Sequence, residues 1–138
     1  MFDYRFLSHT ADIAVLLRAD TLENLFAAGL RAMNEVLREG FCTGEPAPDR
    51  RMPLSLQSID DTALLIDFLS EALTTSYIHR CLYCTVDIEP IKDKALQGVL
   101  HGCSVEGFTD DIKAVTYHDA EIRRTADGRW ETPVIFDI

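Results

Sequence analysis

Two runs near the start of the chain carry apolar residues at period-two spacing. Tyr4, Phe6 and Leu7 come before the stretch His9-Thr10-Ala11-Asp12-Ile13, and Ile13, Val15 and Leu17 recur at every second position after it. That period is the mark of a half-buried strand. Two such runs in succession place the polar residues between them at a turn or a strand end. His9 and Asp12 can then face solvent or a site. The plain reading is a polar turn whose Thr and Asp satisfy backbone donors.

The period then changes. Leu22, Leu25, Phe26, Gly29, Leu30, Met33 and Leu37 follow at helical spacing. Asp20 opens this helix, with Glu23 at capping-box distance, and Gly40 closes it. Residues 40–51 carry two Gly and two Pro and read as a surface loop. Met52, Leu54 and Leu56 alternate as a short strand, which Pro53 pushes to an edge. A second helix begins at Asp60-Asp61, where acidic residues suit the helix dipole. Leu64, Leu65, Phe68, Leu69, Ala72 and Leu73 form its apolar face. The run Thr74-Thr75-Ser76 is expected to end it. Leu82, Cys84, Val86 and Ile88 alternate again. The apolar run from Leu96 to Val105 is broken by Gly98 and Gly102, which predicts a bulge or bend. Residues 112–123 and 130–138 complete the strands. Two helices and about six or seven mostly antiparallel strands imply an α+β domain with both helices on one sheet face. At 138 residues the chain is expected to be a single domain, 1–138.

The last hairpin can be registered from its pattern. Asp127-Gly128 is a turn signal. The apolar set of the final strand is Trp130, Val134, Phe136 and Ile138; that of its neighbour reads as Ile112, Ala114, Ala120 and Ile122. Slipping a strand by one residue turns every side chain over. Matching the two sets requires a three-residue loop, Ala126-Asp127-Gly128, with Gly128 left-handed and Asp137 opposite Tyr117. Asp137 would then be separated from Lys113 by four residues at ~3.4 Å each, too far for an ion pair. The sequence ends at Ile138, so Asp137 and an α-carboxylate would offer two anionic groups at one point, with Asp12 as a third if the first hairpin lies alongside. Carboxylate clusters of this kind favour hard cations such as Ca²⁺ or Mg²⁺. The plain alternative is that Asp137 is an ordinary exposed residue.

Charge narrows the function. Thirteen Lys and Arg stand against twenty-three Asp and Glu, a formal net charge of -10. Nucleic-acid affinity comes largely from neutralising phosphates, so direct RNA or DNA binding is not expected. A basic protein partner or metal ions suit the chain better. No apolar run approaches the ~20 residues that cross a bilayer. The N-terminus has neither a basic n-region nor an apolar h-region, so a cytoplasmic protein with no membrane partner is expected. Cys81-Leu82-Tyr83-Cys84 has C-x-x-C spacing, but no second close pair completes a zinc site. The motif also follows a helix instead of starting one, against a thioredoxin-like site. Reduced, half-buried thiols are the expectation.

Three ordered segments carry a resemblance. His9-Thr10-Ala11-Asp12-Ile13, Ile112-Lys113-Ala114-Val115-Thr116-Tyr117-His118 and Val134-Ile135-Phe136-Asp137-Ile138 resemble the archease family in order and spacing. Asp61-Thr62-Ala63-Leu64-Leu65-Ile66-Asp67-Phe68-Leu69-Ser70-Glu71 looks like the family's second helix, with Phe68 where Trp is usual and Ala14 where Gly is usual. The resemblance implies an accessory protein of a GTP-dependent, RtcB-type RNA ligase. It would promote guanylylation and multiple turnover of that ligase in tRNA splicing and RNA repair, without joining RNA itself. It further implies a divalent metal, calcium first and magnesium or manganese next, on Asp12, Asp137 and Ile138. Lys113, with Asp12 and Asp137, would serve ligase activation. His9 and His118 are candidates to support the ligands from behind, although a strand histidine is more often simply packed or hydrogen-bonded.

Two rival readings are kept. One is a small metal-dependent hydrolase using Asp12, His9, Asp137 and His118; the chain offers no nucleophile motif, no H-E-x-x-H and no phosphate-binding glycine loop. The other is a chaperone-like or redox-responsive protein-binding module built on the cysteine pair.

Overall fold

The structure is a computed structural model that describes residues 1–9 and 12–138; of Ser8 and His9 it describes the backbone alone. The reading of Thr10 and Ala11 as a polar turn lies outside the described residues. In chain order the elements are β1 (Phe2–His9), β2 (Asp12–Ala19), α1 (Leu22–Leu37), β3 (Arg50–Gln57), α2 (Asp61–His79), β4 (Cys81–Ile88), β5 (Ala95–Ser104), β6 (Ala114–Thr116), β7 (Arg123–Arg124) and β8 (Trp130–Asp137).

Two helices and antiparallel strands make the expected α+β fold. The strands are divided between two sheets, however. One runs β1-β2-β8-β6 with β7 also on β8; the other runs β3-β5-β4. The helices therefore do not sit on a single sheet face. α1 packs on β1, β2 and β8 and also on β4, while α2 packs on β3, β4, β5 and β6, and the helices touch each other. One apolar cluster joins all of these layers. Val15 and Leu17 of β2 and Val134 and Phe136 of β8 meet Phe26 of α1 and Phe68 of α2 within it, all fully buried. The Phe26 and Phe68 rings lie 5.5 Å apart. Each such side chain contributes roughly 1.5–3 kcal/mol by leaving water.

Local chemistry explains where each helix starts and stops. α1 is capped by Thr21, whose hydroxyl accepts from the Asn24 N–H at 3.0 Å. Asp20 stands one residue too early to cap; its carboxylate accepts from Asn24 Nδ2 at 2.8 Å. Glu23 reaches away from the cap to the Ile91 N–H. α2 is capped by Asp60, which accepts from the Ala63 N–H at 2.7 Å. It then runs straight through Thr74-Thr75-Ser76 to His79 and stops at Arg80, which is left-handed with φ 51°. Thr75 and Ser76 are buried, at 6% and 1% exposure. Packing overrides their weak helix propensity.

The small sheet holds the expected irregularity, carried by the partner strand. Leu82 pairs with Cys103 and Thr85 with His101, so Tyr83 and Cys84 together oppose Gly102. The Tyr83 ring fills the space a side chain at 102 would need: a Cβ there would lie 2.6 Å from Tyr83 Cδ1. Asn34 of α1 donates from Nδ2 to the Tyr83 carbonyl at 2.5 Å. Pro53 does sit on an edge strand, β3. The cysteines differ from the expectation of reduced thiols. Cys84 is joined by a disulfide to Cys42, 42 residues away, and Cys81 and Cys103 are the free, buried thiols. The bulge sends Tyr83 inward and leaves Cys84 within reach of the loop after α1, so the C-x-x-C spacing in sequence has no counterpart in bonding.

Candidate functional site

β2 and β8 pair along their whole lengths, from Ala19 opposite Trp130 to Asp12 opposite Asp137. The parity of this ladder settles which residues face out. Val15 and Val134 are partners with 0% exposure, so Ile13 and Phe136 face the core with them. Asp12 and Asp137, one step further, share the opposite face. Partners in an antiparallel ladder have Cβ atoms about 4.5–5.5 Å apart. The chain therefore places these two carboxylates side by side at one end of the large sheet. Ile138 turns inward again and packs, partly buried, on the core.

The third strand at this point is β6, and its register differs from the expected one. The hairpin loop itself is as read: the Thr125 N–H donates to the Arg129 carbonyl at 2.8 Å, and Gly128 is left-handed with φ 82°. Arg124 pairs with Trp130 accordingly. Beyond β7 the ladder breaks. Val115 pairs with Phe136 and Ala114 with Asp137, an offset of three residues from the hairpin register. Asp137 thus lies opposite Ala114, where Tyr117 was expected, and residues 112–123 are not one strand. Val115 is the buried residue and Ala114 the exposed one. Packing prefers the larger side chain, and the loop over 117–122 absorbs the slip.

This offset brings the Lys113 backbone to that of Asp137. Its backbone N–H donates to the Asp137 carbonyl at 2.7 Å, and its side chain is exposed. Four residues of strand do not intervene after all. His118 goes the other way. It lies past the Thr116 end of β6, exposed, with Nε2 3.4 Å from the Asp119 carboxylate. The His9 side chain lies outside the described residues; its backbone pairs with Ile13. Among the described residues, no three His, Cys, Asp or Glu side chains gather as a metal-holding group.

Sequence reasoning missed the residues that hold this segment in place. They lie along α2. The Tyr77 hydroxyl donates to the Ile112 carbonyl at 2.8 Å and accepts from the Ile112 N–H at 2.7 Å. The Asp67 carboxylate accepts from the hydroxyls of Tyr117 and Ser58. Thr62 accepts from the Ile122 N–H at 3.0 Å. The hydrogen bond to Asp67, followed by burial, holds the Tyr117 hydroxyl above its usual pKa. Burial, more than any charge, does the same for Tyr77. The signal for Tyr77 is hidden because Thr74-Thr75-Ser76 predicts a helix end before it. A cavity of about 610 Å³ elsewhere, over the outer face of the small sheet around Gly98, includes none of the motif residues.

Residues 4–138 match the model of the Archease protein family. The chain belongs to the archease family. A protein archease of Methanosarcina acetivorans is 33% identical over 98% of this chain and 95% of its own length. The solution structure of protein 1598 of Methanobacterium thermoautotrophicum superposes with a TM-score of 0.78, at 28% identity, covering 98% of each chain. The fold is also that of a Thermotoga maritima archease described as a possible chaperone, with a TM-score of 0.68 at 18% identity over 96% of this chain and 94% of that one.

Proposed function

We propose that this archease is the activating partner of a GTP-dependent, RtcB-type RNA ligase, promoting its guanylylation and multiple turnover in tRNA splicing and RNA repair. It is an accessory protein and contributes no catalytic step of its own. The observation that supports this most directly is the register at the end of the large sheet: Asp12 opposite Asp137, with Lys113 bonded to the Asp137 backbone. Asp12, Asp137 and the Lys113 backbone lie together at one end of the large sheet, which supports the roles that the family resemblance implies for them. The net charge of -10 fits docking on a basic, RNA-handling enzyme in the cytoplasm and disfavours a direct hold on RNA.

Asp12, Asp137 and main-chain oxygen at Ile138 would hold a divalent metal. Two neighbouring carboxylates repel each other unless a cation stands between them, and an all-oxygen donor set suits calcium first, magnesium or manganese next. The set is short of the six to eight oxygens that calcium takes, so water or the ligase would complete it. Such a cation supplies concentrated positive charge at the exposed sheet end. The chain's own part is rigid placement. The β2–β8 ladder fixes the two carboxylates, Tyr77 pins Ile112 from α2, and Lys113 next to it presents an ammonium that cannot itself be a ligand.

The test is guanylylation and multiple-turnover ligation by the cognate ligase, with and without substoichiometric amounts of this protein. Both rates are expected to rise. Equal rates with and without it would refute the proposal. RNA binding in the absence of ligase is expected to be weak at physiological salt.

A further inference from the structure

Three of the four cysteines meet at one cavity. It has a volume of about 230 Å³, lies between the loop after α1 and one end of the small sheet, and is lined by Cys42, Cys84, Cys103, His101, Arg31 and Glu45 among others. Cys42 and Cys84 form the disulfide. Cys103 is a free thiol, 7% exposed, whose Sγ donates to the Ala47 carbonyl at 3.3 Å. The loop over residues 42–49 is therefore tied to the sheet twice at the same place. The disulfide holds one end, and the Cys103 thiol holds the middle. Asp49 closes it, its N–H donating to the Gly102 carbonyl at 2.9 Å and its carboxylate accepting from the Ser104 N–H at 3.0 Å. Cys103 and Cys84 stand on adjacent strands. Cys103 is opposite Leu82, and Cys84 follows within the bulge.

We propose that Cys103 is the resolving thiol of an internal thiol–disulfide exchange site, its sulfur attacking Cys84 Sγ to displace Cys42. The Cys84–Cys103 bond forms and the Cys42–Cys84 bond breaks. The electron pair of the broken bond leaves with Cys42. Cys103 loses its proton to solvent and Cys42 gains one. One disulfide and two thiols exist before and after, so no oxidant or reductant is needed. Attack falls on Cys84 because it stands on β4, the direct neighbour of the strand that carries Cys103, whereas Cys42 lies outside the sheet in the short turn after α1. The exchange frees the Cys42 end of the loop, where the Arg31 Nη2 contact to the Cys42 carbonyl at 3.1 Å still remains.

The surroundings set the conditions. Asp49 and Glu45 face Cys103 from the loop, Arg31 from α1, His101 from its own strand and Cys81 from β4. Burial first, and the Asp49 charge second, hold the Cys103 thiol above its ordinary range. The thiolate is the attacking species, so exchange is slow at neutral pH and gains about tenfold per pH unit until the thiol titrates. Cys81 is excluded from the relay. It is fully buried and does not line the cavity.

The test is disulfide mapping of the intact protein. Samples incubated without reductant at pH 7 to 9.5 are quenched in acid, labelled with an alkylating agent under denaturing conditions and digested. The expected result is a Cys84–Cys103 peptide and labelled Cys42, appearing faster at higher pH while the count of labelled cysteines stays at two. Cys103→Ser should abolish this and keep Cys42–Cys84; Cys81→Ser should leave it unchanged. A Cys42–Cys84 peptide alone at every pH, with Cys103 always labelled, would overturn the proposal. So would a Cys42–Cys103 product, or four labelled cysteines at the start.

Discussion

Replacing Asp137 with Asn is predicted to act in opposite directions with and without a divalent cation. Asp137 and Asp12 are direct partners on one face of the β2–β8 ladder. Two unit charges about 5 Å apart repel by ~0.8 kcal/mol in bulk water and ~3 kcal/mol at an effective dielectric constant of ~20. Asp12 is exposed and Asp137 half-buried, so screening favours the lower value. Like charges placed opposite each other on strands cost a similar amount, up to ~1 kcal/mol. In chelator, Asp137→Asn should therefore stabilise the protein by about 0.5–1 kcal/mol, a rise in Tm of roughly 2–4 °C for a chain of this size. With calcium at a hundred times its Kd, the unaltered protein gains ~2.7 kcal/mol by mass action. The variant, one carboxylate short, should lose most of that gain. The two melting temperatures then cross as calcium is added. Thermal melts followed by circular dichroism, in EDTA and across a calcium series, read this directly. A variant that melts lower in EDTA and gains as much from calcium as the parent would refute the shared site.

Three further outcomes follow from other parts of the molecule. Lys113→Ala should lower ligase activation at least tenfold while leaving the calcium-dependent rise in Tm unchanged, since the ammonium is not a ligand; guanylylation rates and melts on the same preparation check both halves. Gly102→Ala should cost about 1–3 kcal/mol in urea unfolding, because a Cβ would sit 2.6 Å from the Tyr83 ring and 3.0 Å from the Leu82 carbonyl. The Thr125 hydroxyl, donating to the Asp127 carboxylate, holds that group below its ordinary pKa of 3.8. Its stabilising effect is thus present above that ordinary value and lost as pH falls through the lower folded one. Asp127→Asn should flatten the decline of Tm below about pH 4, measured by melts from pH 5 to pH 2.

Strict periodicity carried most of the fold. β2 and β8 read correctly because Val15 and Leu17, and Val134 and Phe136, stand at every second position and end up fully buried. The loop at Gly128 read correctly because a three-residue connection needs a left-handed residue and glycine was in place. The division into two sheets was not legible. Strand pairing is a matter of which edges meet in space, and alternation gives each strand a face but no neighbour. The disulfide was hidden for a related reason. Cys42 and Cys84 are 42 residues apart and meet only through the bulge opposite Gly102, while the close pair in sequence points the wrong way.

At the site, two errors had one physical source. Residues 112–123 were read as continuous because Ile112, Ala114, Ala120 and Ile122 share a parity. An offset of three is odd, so it must exchange the inward and outward sets between the two ends of the segment. Ala114-Val115 can satisfy either parity, and the pattern could not choose between them. The burial of Val115 opposite Phe136 made the choice. That choice is supported from the second helix. Tyr77 can bracket Ile112 only because α2 continues through Thr75 and Ser76, two residues that favour ending a helix in isolation but are buried here. Had α2 stopped at Thr74, Tyr77 could not have stood on the same rigid rod as Asp67 and Thr62. The segment would then have lacked one of its three hydrogen-bonded points along the helix. The position of Lys113 beside Asp137 thus depends on a helix that ends at His79, 34 residues earlier in sequence.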